Sequence, residues 1–342
     1  MSALNFAAPD IGIDLGTCTT QVVVRGKGIV LSEPTIVLVN ADDPRRVRAV
    51  GDDAREMLGK TTDGVRVVRP MREGIITDFD MTEILLQYYV RKAIGSSYLV
   101  KPRMVLSYPC SISAIEKRAV AEAARYAGAR AVYMLEKPFL SAFGSNLPID
   151  TAKGVLVVDI GGGTTDVALI SVSGIVIQRS IRVGGVKMDE AIANYIKLHS
   201  AVLIGDRTAE EVKLDLGSAL PLLTERKARV RGRDMVTNLP QIVEINSTMV
   251  YEALQEPCMA IVEAIKWVLE RTPPELAGSM VTDGIYLTGG GAQLYGMENF
   301  IENEIGLKAH LRSDPMYAVS TGLDETLKNF DTLSRMDILQ ES

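Results

Sequence analysis

Short apolar runs alternate along the chain with turn-forming residues and amphipathic stretches. Ile11 and Ile13 lead into Asp14, and Val22-Val23-Val24 follows a turn of small residues. Val155-Leu156-Val157-Val158 leads into Asp159, and Val167-Ala168-Leu169-Ile170 follows a second such turn. Continuous apolar runs bounded by glycine predict buried strands, so each stretch predicts a β-hairpin. Between them, Ser113 and Glu116 have the spacing of a capping box and open EKRAVAEAARYAGA, which ends at Gly128. A strand is expected over 131–135, then a helix opened by Pro138. Pro257 is expected to open another helix over CMAIVEAIKWVLER, ended by Pro273-Pro274. A short strand over 285–288 runs into Gly289-Gly290-Gly291, with a helix from about 297 onward. Strands and helices in alternation predict an α/β protein. No low-complexity stretch or Ser/Gly-rich linker interrupts it.

The two hairpins share one frame. Residues 14–22 read DLGTCTTQV and residues 159–167 read DIGGGTTDV: Asp, aliphatic, Gly, two small residues, Thr, Thr, polar, Val. Two related halves are the expected origin. Small residues in a hairpin turn let successive backbone N–H groups cradle phosphate oxygens, and threonine hydroxyls add donors. A carboxylate at the strand end repels phosphate but can hold a hydrated Mg²⁺ that faces it. Asp14 and Asp159 therefore read as magnesium holders acting through water. Thr17, Cys18 and Thr19 are expected to cradle one side of a polyphosphate, and Gly161, Gly162, Gly163, Thr164 and Thr165 the other. The competing reading, two tight hairpins without a ligand, is weakened by the repeat and by the later glycine triplet, since glycine between strand and helix is a recurrent place for backbone to meet a phosphate or sugar.

Composition narrows the function further. The 342 residues, 47% hydrophobic and 23% charged, suit a soluble chain of two domains or one large one. A formal charge of −6 argues against a dedicated nucleic-acid binder. Three distant cysteines and two histidines suggest neither a disulfide framework nor a zinc site, and fit a reducing cytoplasm. MSALNFAAPD lacks the basic start and apolar core of a signal peptide, and apolar runs such as 155–158 are too short to span a bilayer. A P-loop and a GxGxxG fingerprint are both missing. His199 and His310 lie in polar surroundings and read as solvated, which leaves no Ser–His–Asp triad. The basic run TERKARVRGRD (Arg226, Lys227, Arg229, Arg231, Arg233) reads as a solvated hairpin turning at Gly232, with nucleic-acid binding the lesser reading. Tyr88 and Tyr89 read as core or helix contacts.

With these residues assembled, the chain resembles the MreB family of bacterial actins, within the superfamily of actin, sugar kinases and heat-shock chaperone ATPases. The similar stretches beyond the hairpins are GKGIVLSEPTIV (26–37), RPMREGIITDFD (69–80), FGSNL (143–147), MDEAI (188–192), DRTAEEVK (206–213), RTPPEL (271–276) and LTGGGAQLYGM (287–297). They cover nearly the whole chain, and no length remains for a chaperone's extra substrate domain. The resemblance implies an actin-like ATPase fold of two related, RNase H-like lobes with nucleotide in the cleft between them. Lobe I would take residues 1–151, with a smaller subdomain at about 38–70 and the segment 320–342 returning to it. Lobe II would take 152–319, with a smaller subdomain at about 188–251. The phosphate loops would fall at Asp14 to Thr20, with Gly16, and at Asp159 to Asp166; Gly185 would join the nucleotide-binding residues, Glu210 and Lys213 would flank the adenosine of ATP or ADP, and Gly289, Gly290 and Gly291 would pack against it.

The resemblance also implies protofilaments of the chain with itself on the cytoplasmic face of the membrane, guiding the cell-wall elongation machinery. Its lipid-contacting loop falls on Ser97-Tyr98-Leu99-Val100, beside Lys101 and Arg103, a composition suited to an anionic leaflet. The equal alternative is that Leu99 and Val100 begin the strand through Met104-Val105-Leu106. At the N-terminus only Leu4 and Phe6 could anchor. Two departures bear on catalysis. Where the family reads Glu-Glu-Pro, this chain reads Glu136-Lys137-Pro138, so Lys137 falls on the acid that positions the attacking water. An ammonium cannot accept a proton. Glu136 is the fallback acid, with Thr164 and Thr165 helping to place water. Val186-Lys187 replaces two acids before MDEAI, and Thr19 replaces an asparagine. Expected is therefore a filament-forming ATP binder with slow or impaired hydrolysis. The alternatives are a nucleotide-locked scaffold and, less favoured, a small-molecule kinase.

Overall fold

The computed structural model describes residues 8–57, 64–96, 98–336 and 338–342. The chain forms two compact units, residues 1–147 with 316–342 and residues 148–315. Each has its own apolar core.

In the first unit the chain runs through β1 (Ile11–Leu15), β2 (Thr19–Val24), β3 (Gly28–Pro34), β4 (Val37–Asn40), β5 (Val47–Val50), α1 (Gly51–Met57), β6 (Val65–Val68), β7 (Met71–Arg72) and β8 (Ile75–Ile76). It continues through α2 (Phe79–Ile94), β9 (Arg103–Tyr108), α3 (Ala114–Tyr126), β10 (Ala131–Glu136) and α4 (Lys137–Gly144). The main sheet has the order β10-β9-β1-β2-β3; β4, β5 and β6 form a separate small sheet. Antiparallel β1–β2–β3 is the hairpin and its extension, whereas β9 and β10 join in parallel through crossovers.

In the second unit follow β11 (Val155–Ile160), β12 (Thr165–Ser171), β13 (Gly174–Ile181), α5 (Gly185–Ser200), β14 (Val202–Leu203), α6 (Asp206–Leu216), β15 (Lys227–Asp234) and β16 (Pro240–Asn246). Then come α7 (Ser247–Glu270), α8 (Pro274–Asp283), β17 (Ile285–Thr288), α9 (Met297–Ile305) and β18 (Ala309–Leu311). The main sheet, β13-β12-β11-β17-β18, repeats the plan of the first: three antiparallel strands, then two parallel ones. The two halves expected from the repeated motif are thus two copies of one topology. The chain then supplies α10 (Ala318–Lys328) and α11 (Phe330–Arg335) to the first unit, where α10 packs on α4 and β1.

Several local expectations hold. Ser113 and Glu116 form the capping box, Ser113 Oγ accepting from the Glu116 N–H at 3.2 Å while Glu116 accepts from the Ser113 N–H at 2.7 Å. Tyr89 is buried and donates its hydroxyl to the Pro34 carbonyl at 2.7 Å. His199 and His310 are exposed.

Two expectations fail. Pro257 does not open a helix: it lies inside α7, which Asn246 caps by accepting from the Met249 N–H at 2.9 Å. An interior proline costs about 3 kcal/mol, but α7 buries Val250, Leu254, Ile261, Val262, Ile265 and Val268, each contributing about 1.5–3 kcal/mol, so packing wins. Gly232 is not at a turn either. It sits within β15, where an added Cβ would lie 2.4 Å from Val202 Cγ1 and 2.6 Å from the Leu203 carbonyl of the neighbouring strand. The turn comes later, where Asp234 accepts from the N–H groups of Val236 and Thr237 at 2.9 and 2.7 Å.

Of the apolar loop, Ser97 lies outside the described residues, as do Leu4 and Phe6. Leu99 and Val100 do not begin β9, which starts at Arg103 beyond Pro102. Leu99 is 71% exposed, and the Val100 carbonyl accepts from the Ala8 N–H at 2.9 Å. Among the described residues no helix is long and apolar enough to cross a membrane.

The contact of α10 with α4 is set by glycine. A Cβ on Gly322 would lie 2.0 Å from the Leu140 carbonyl oxygen, so Gly322→Ala should cost about 3 kcal/mol by forcing the helices apart. Gly278 in α8 has nothing within 4 Å, and Gly278→Ala should gain about 0.5–1 kcal/mol. Urea unfolding midpoints check both; shifts of equal sign would refute this account of the packing.

Candidate functional site

The hairpin turns fold as they do because backbone closes on backbone. A Cβ on Gly16 would lie 2.4 Å from the Thr19 carbonyl oxygen. In the second hairpin the Gly161 N–H donates to the Thr164 carbonyl at 2.8 Å. The two copies have the same register: Asp14 opposes Gln21 and Leu15 opposes Thr20, while Asp159 opposes Asp166 and Ile160 opposes Thr165.

The carboxylates at the strand ends are matched as well. Ser107 at the end of β9 donates to Asp14 Oδ1 at 2.5 Å. Thr288 at the end of β17 lies with its hydroxyl 3.4 Å from Asp159 Oδ1. In each unit, then, the acid of the hairpin meets a hydroxyl from the adjoining parallel strand. Sequence reasoning missed both hydroxyls. Their only signal is a small polar residue closing an apolar run, as in MVLSYP and IYLTGG.

In the first unit, the Thr17 hydroxyl accepts from the Gly74 N–H at 3.1 Å, which ties the β7–β8 turn to the hairpin and adds Gly74 to the surroundings of the site. The Cys18 side chain is exposed, and its carbonyl accepts from the Thr35 N–H at 2.9 Å. Thr19 is half-buried at the start of β2. Lys137 opens α4 and places Nζ 2.8 Å from Asp14 Oδ1, with only 13% and 14% of the two side chains exposed. Glu136 is turned elsewhere: its carboxylate accepts the Tyr108 hydroxyl, on which Lys117 Nζ also sits at 3.1 Å. Burial and the Glu136 charge push the Tyr108 phenol well above its usual range, so it stays protonated and donates.

In the second unit the start of α5 is joined to the hairpin. The Gly185 and Val186 N–H groups donate to the Gly161 and Gly162 carbonyls at 3.0 and 2.8 Å. Gly184, which belongs to no motif in the sequence, is required here, since a Cβ would lie 2.5 Å from the Gly161 carbonyl. Gly163 is buried in the turn. The Thr164 hydroxyl donates to Asp166 at 3.0 Å and that of Thr165 to the Val183 carbonyl at 2.7 Å, so both already have protein partners. Gly289 has φ +82°, and a Cβ there would lie 2.3 Å from the Ile160 carbonyl and 2.5 Å from Asp159 Oδ1; Gly290 and Gly291 enter the short 3-10 turn that follows. Lys213 in α6 donates to the Gly185 carbonyl at 3.0 Å and sits 2.8 Å from Asp189 Oδ1, an ion contact outside hydrogen-bonding angles. Glu210, one turn earlier, is exposed. Lys187 pairs with Glu190 at 2.7 Å on the helix surface.

Asp159 is buried at 5% exposure, and its carboxylate is of the kind that holds a hydrated cation through water. Asp14 does not fit that role: one oxygen already takes both an ammonium and a hydroxyl. Among the described residues no cluster of three or more His, Cys, Asp or Glu side chains could bind a metal directly.

A duplicated sheet, duplicated hairpins and duplicated acid–hydroxyl pairs define an actin-like fold, and comparison with known proteins places it. The profile of the MreB/Mbl protein family matches residues 8–335. This chain belongs to the MreB/Mbl family. It is 42% identical to the cell shape-determining protein Mbl of Bacillus cereus, over 96% of this chain and 98% of that one. It is likewise 42% identical to the cell shape-determining protein MreB of Escherichia coli, over 94% of each. Among solved structures, MreB5 of Spiroplasma citri bound to AMPPNP superposes with a TM-score of 0.90 at 32% identity, covering 96% of this chain and 99% of that one. The ADP-bound form of MreB5 gives 0.89. A MamK double helical filament, 22% identical with a TM-score of 0.77 over 93% of this chain and 98% of that one, shares the fold.

Within this MreB/Mbl chain, Asp189 carries a marked electrostatic signature. Burial raises its pKa to about 6; Lys213 opposes the rise, and Glu210 and Asp206 add to it. A raised carboxyl favours the folded state below its unfolded value of 3.8, and that contribution is lost as pH rises through about 6. Stability should therefore fall between pH 4 and pH 6.5 by about 2 kcal/mol more in the wild type than in Asp189→Asn. Urea titrations of both at the two pH values check this; identical pH dependence would show that Asp189 is not raised.

Proposed function

We propose that this chain is an ATP-binding, filament-forming, actin-like cytoskeletal protein that helps set cell shape by organising cell-wall synthesis at the inner face of the cell membrane. The observation that carries the reading is the pair of hairpins with turns of small residues in identical register, each with a carboxylate at the end of its first strand. The likeness to cell shape-determining proteins and to a relative bound to ADP and AMPPNP supports it. Both hairpins contribute donors to the polyphosphate, from Gly16, Thr17, Cys18 and Thr19 and from Gly162 and Gly163, while Gly161, Thr164 and Thr165, whose N–H or hydroxyl groups bond within the chain, shape the second turn. Gly185, Glu210, Lys213 and the triplet Gly289, Gly290 and Gly291 serve the adenosine. The small sheets β4–β6 and β14–β16 belong to the smaller subdomains of the two lobes. Asp159 keeps the role of magnesium holder.

Hydrolysis is slow. An ammonium has no lone pair with which to accept a proton from water, and Lys137 is committed to Asp14. The fallback acid, Glu136, accepts from Tyr108. This pairing favours a second reading, a scaffold that binds ATP, assembles and does not turn it over. A kinase reading gains nothing, since among the described residues no carboxylate stands out as a base for a substrate hydroxyl.

Electron microscopy of purified protein should show filaments with ATP and few or none without nucleotide. Phosphate release in the same samples should be slow and should rise on the order of tenfold or more in Lys137→Glu, a conservative share of what a general base supplies. Filaments indifferent to nucleotide, together with fast turnover unchanged by Lys137→Glu, would sink the proposal.

Membrane contact is assigned to Tyr98, Leu99 and Val100. Exposure of Leu99 beside Lys101 suits insertion into an anionic leaflet. Leu99→Ser should reduce co-sedimentation of the filaments with phosphatidylglycerol vesicles by about tenfold per filament-forming subunit, the worth of one buried leucine. Unchanged co-sedimentation would remove this loop as the anchor.

A further inference from the structure

We propose that the Lys137 ammonium supplies, beside Asp14, the positive charge that a divalent cation would otherwise supply there, leaving Asp159 as the one hairpin acid that holds Mg²⁺, so that nucleotide binding by this chain depends on Mg²⁺ less than it would with an acid at residue 137. The inference rests on the reading that the chain binds ATP.

Lys137 Nζ lies 2.8 Å from Asp14 Oδ1, and both side chains are largely withdrawn from water. Such a pair is screened far less than a surface ion pair. The same oxygen accepts the Ser107 hydroxyl at 2.5 Å, which fixes the carboxylate in place. Lys137 is held from its own side too. It begins α4, Pro138 follows in the first turn, and Glu136 before it is turned toward Tyr108. The ammonium is therefore built into the end of the sheet rather than swung there on a loose chain.

The consequence is electrostatic. A carboxylate facing a polyphosphate repels it unless a cation intervenes. At Asp14 the repulsion is already cancelled by a unit charge on the protein. A lysine is a compact point charge and a good partner for phosphate. A hydrated Mg²⁺ approaching the same oxygen meets an ammonium, and like charges repel. Divalent cation thus gains little at Asp14, and the charge balance that metal would provide is written into the chain.

The test is a titration of the full chain with N-methylanthraniloyl-ATP, in excess Mg²⁺ and in excess EDTA, on the wild type, Lys137→Glu and Lys137→Met. Lys137→Met keeps most of the length of the side chain and removes the ammonium, so it decides the matter should Lys137→Glu fail to fold; urea midpoints report that. Removing Mg²⁺ should weaken wild-type binding by less than about threefold, and that of Lys137→Glu by more than about tenfold, with Lys137→Met between them. A purely structural role for the pair would lower the midpoints of both variants and leave the three Mg²⁺ dependences equal, and that equality overturns this inference alone. No binding by any of the three in either buffer overturns the ATP-binding reading, and the inference with it.

Discussion

Parallel pairing of a hairpin's first strand with a strand far along the chain is the constraint on which each unit depends. β1 pairs with β9 and β11 with β17, and the strands involved are buried almost throughout. Strands covered on both faces exclude polar side chains from their middles. Polar groups can then appear only where the strands end, and in a parallel pair those ends lie side by side. Asp14 meets Ser107 there, and Asp159 meets Thr288. Function at the carboxyl ends of parallel strands follows from the same exclusion.

The glycines around these ends answer first to the protein. Gly16, Gly184 and Gly289 are each required by a carbonyl or carboxylate of the chain itself. The start of α5 tells the same story. A helix N-terminus can hold an anion through its unpaired N–H groups, but Gly185 and Val186 spend theirs on the Gly161 and Gly162 carbonyls. A glycine-rich pattern is therefore weak testimony to a ligand when each glycine is taken alone. What strengthens it is the second copy, because packing in one unit gives no reason for the other to repeat its register and its acid.

Features written in consecutive residues were legible in the sequence. The hairpins, the Ser113 capping box and the alternation of strand and helix all declare themselves within a few positions, and the repeat announced two halves. Features decided by a distant partner were not. Pro257 looks like a helix start until the buried face of α7 is counted against it. Gly232 looks like a turn until Val202 and Leu203 are found beside it. Ser107, Thr288, Gly74 and Gly184 carry no local signal strong enough to mark them, since each matters only through the residue it meets. Leu99 shows the reverse case: its sequence allowed a strand or an exposed loop equally, and Pro102 keeps β9 from reaching it.

Residue 137 joins the two kinds of information. The sequence shows only a lysine before Pro138, at a position where the family resemblance leads one to expect an acid; the fold shows that it reaches past β9, the strand between β10 and β1, to Asp14. On the proposed reading, that contact gives one lysine three effects. It leaves no proton acceptor at residue 137, it occupies the Asp14 carboxylate that a metal would otherwise face, and it adds a largely buried ion pair whose disruption leaves an unpaired charge costing about 3–5 kcal/mol. On the same reading the pair resists reversal by single steps: changing residue 137 alone supplies a base only at the cost of an uncompensated Asp14. On the proposed reading, slow hydrolysis and weak metal dependence in this chain are not two adaptations but two sides of one charge placed on one carboxylate.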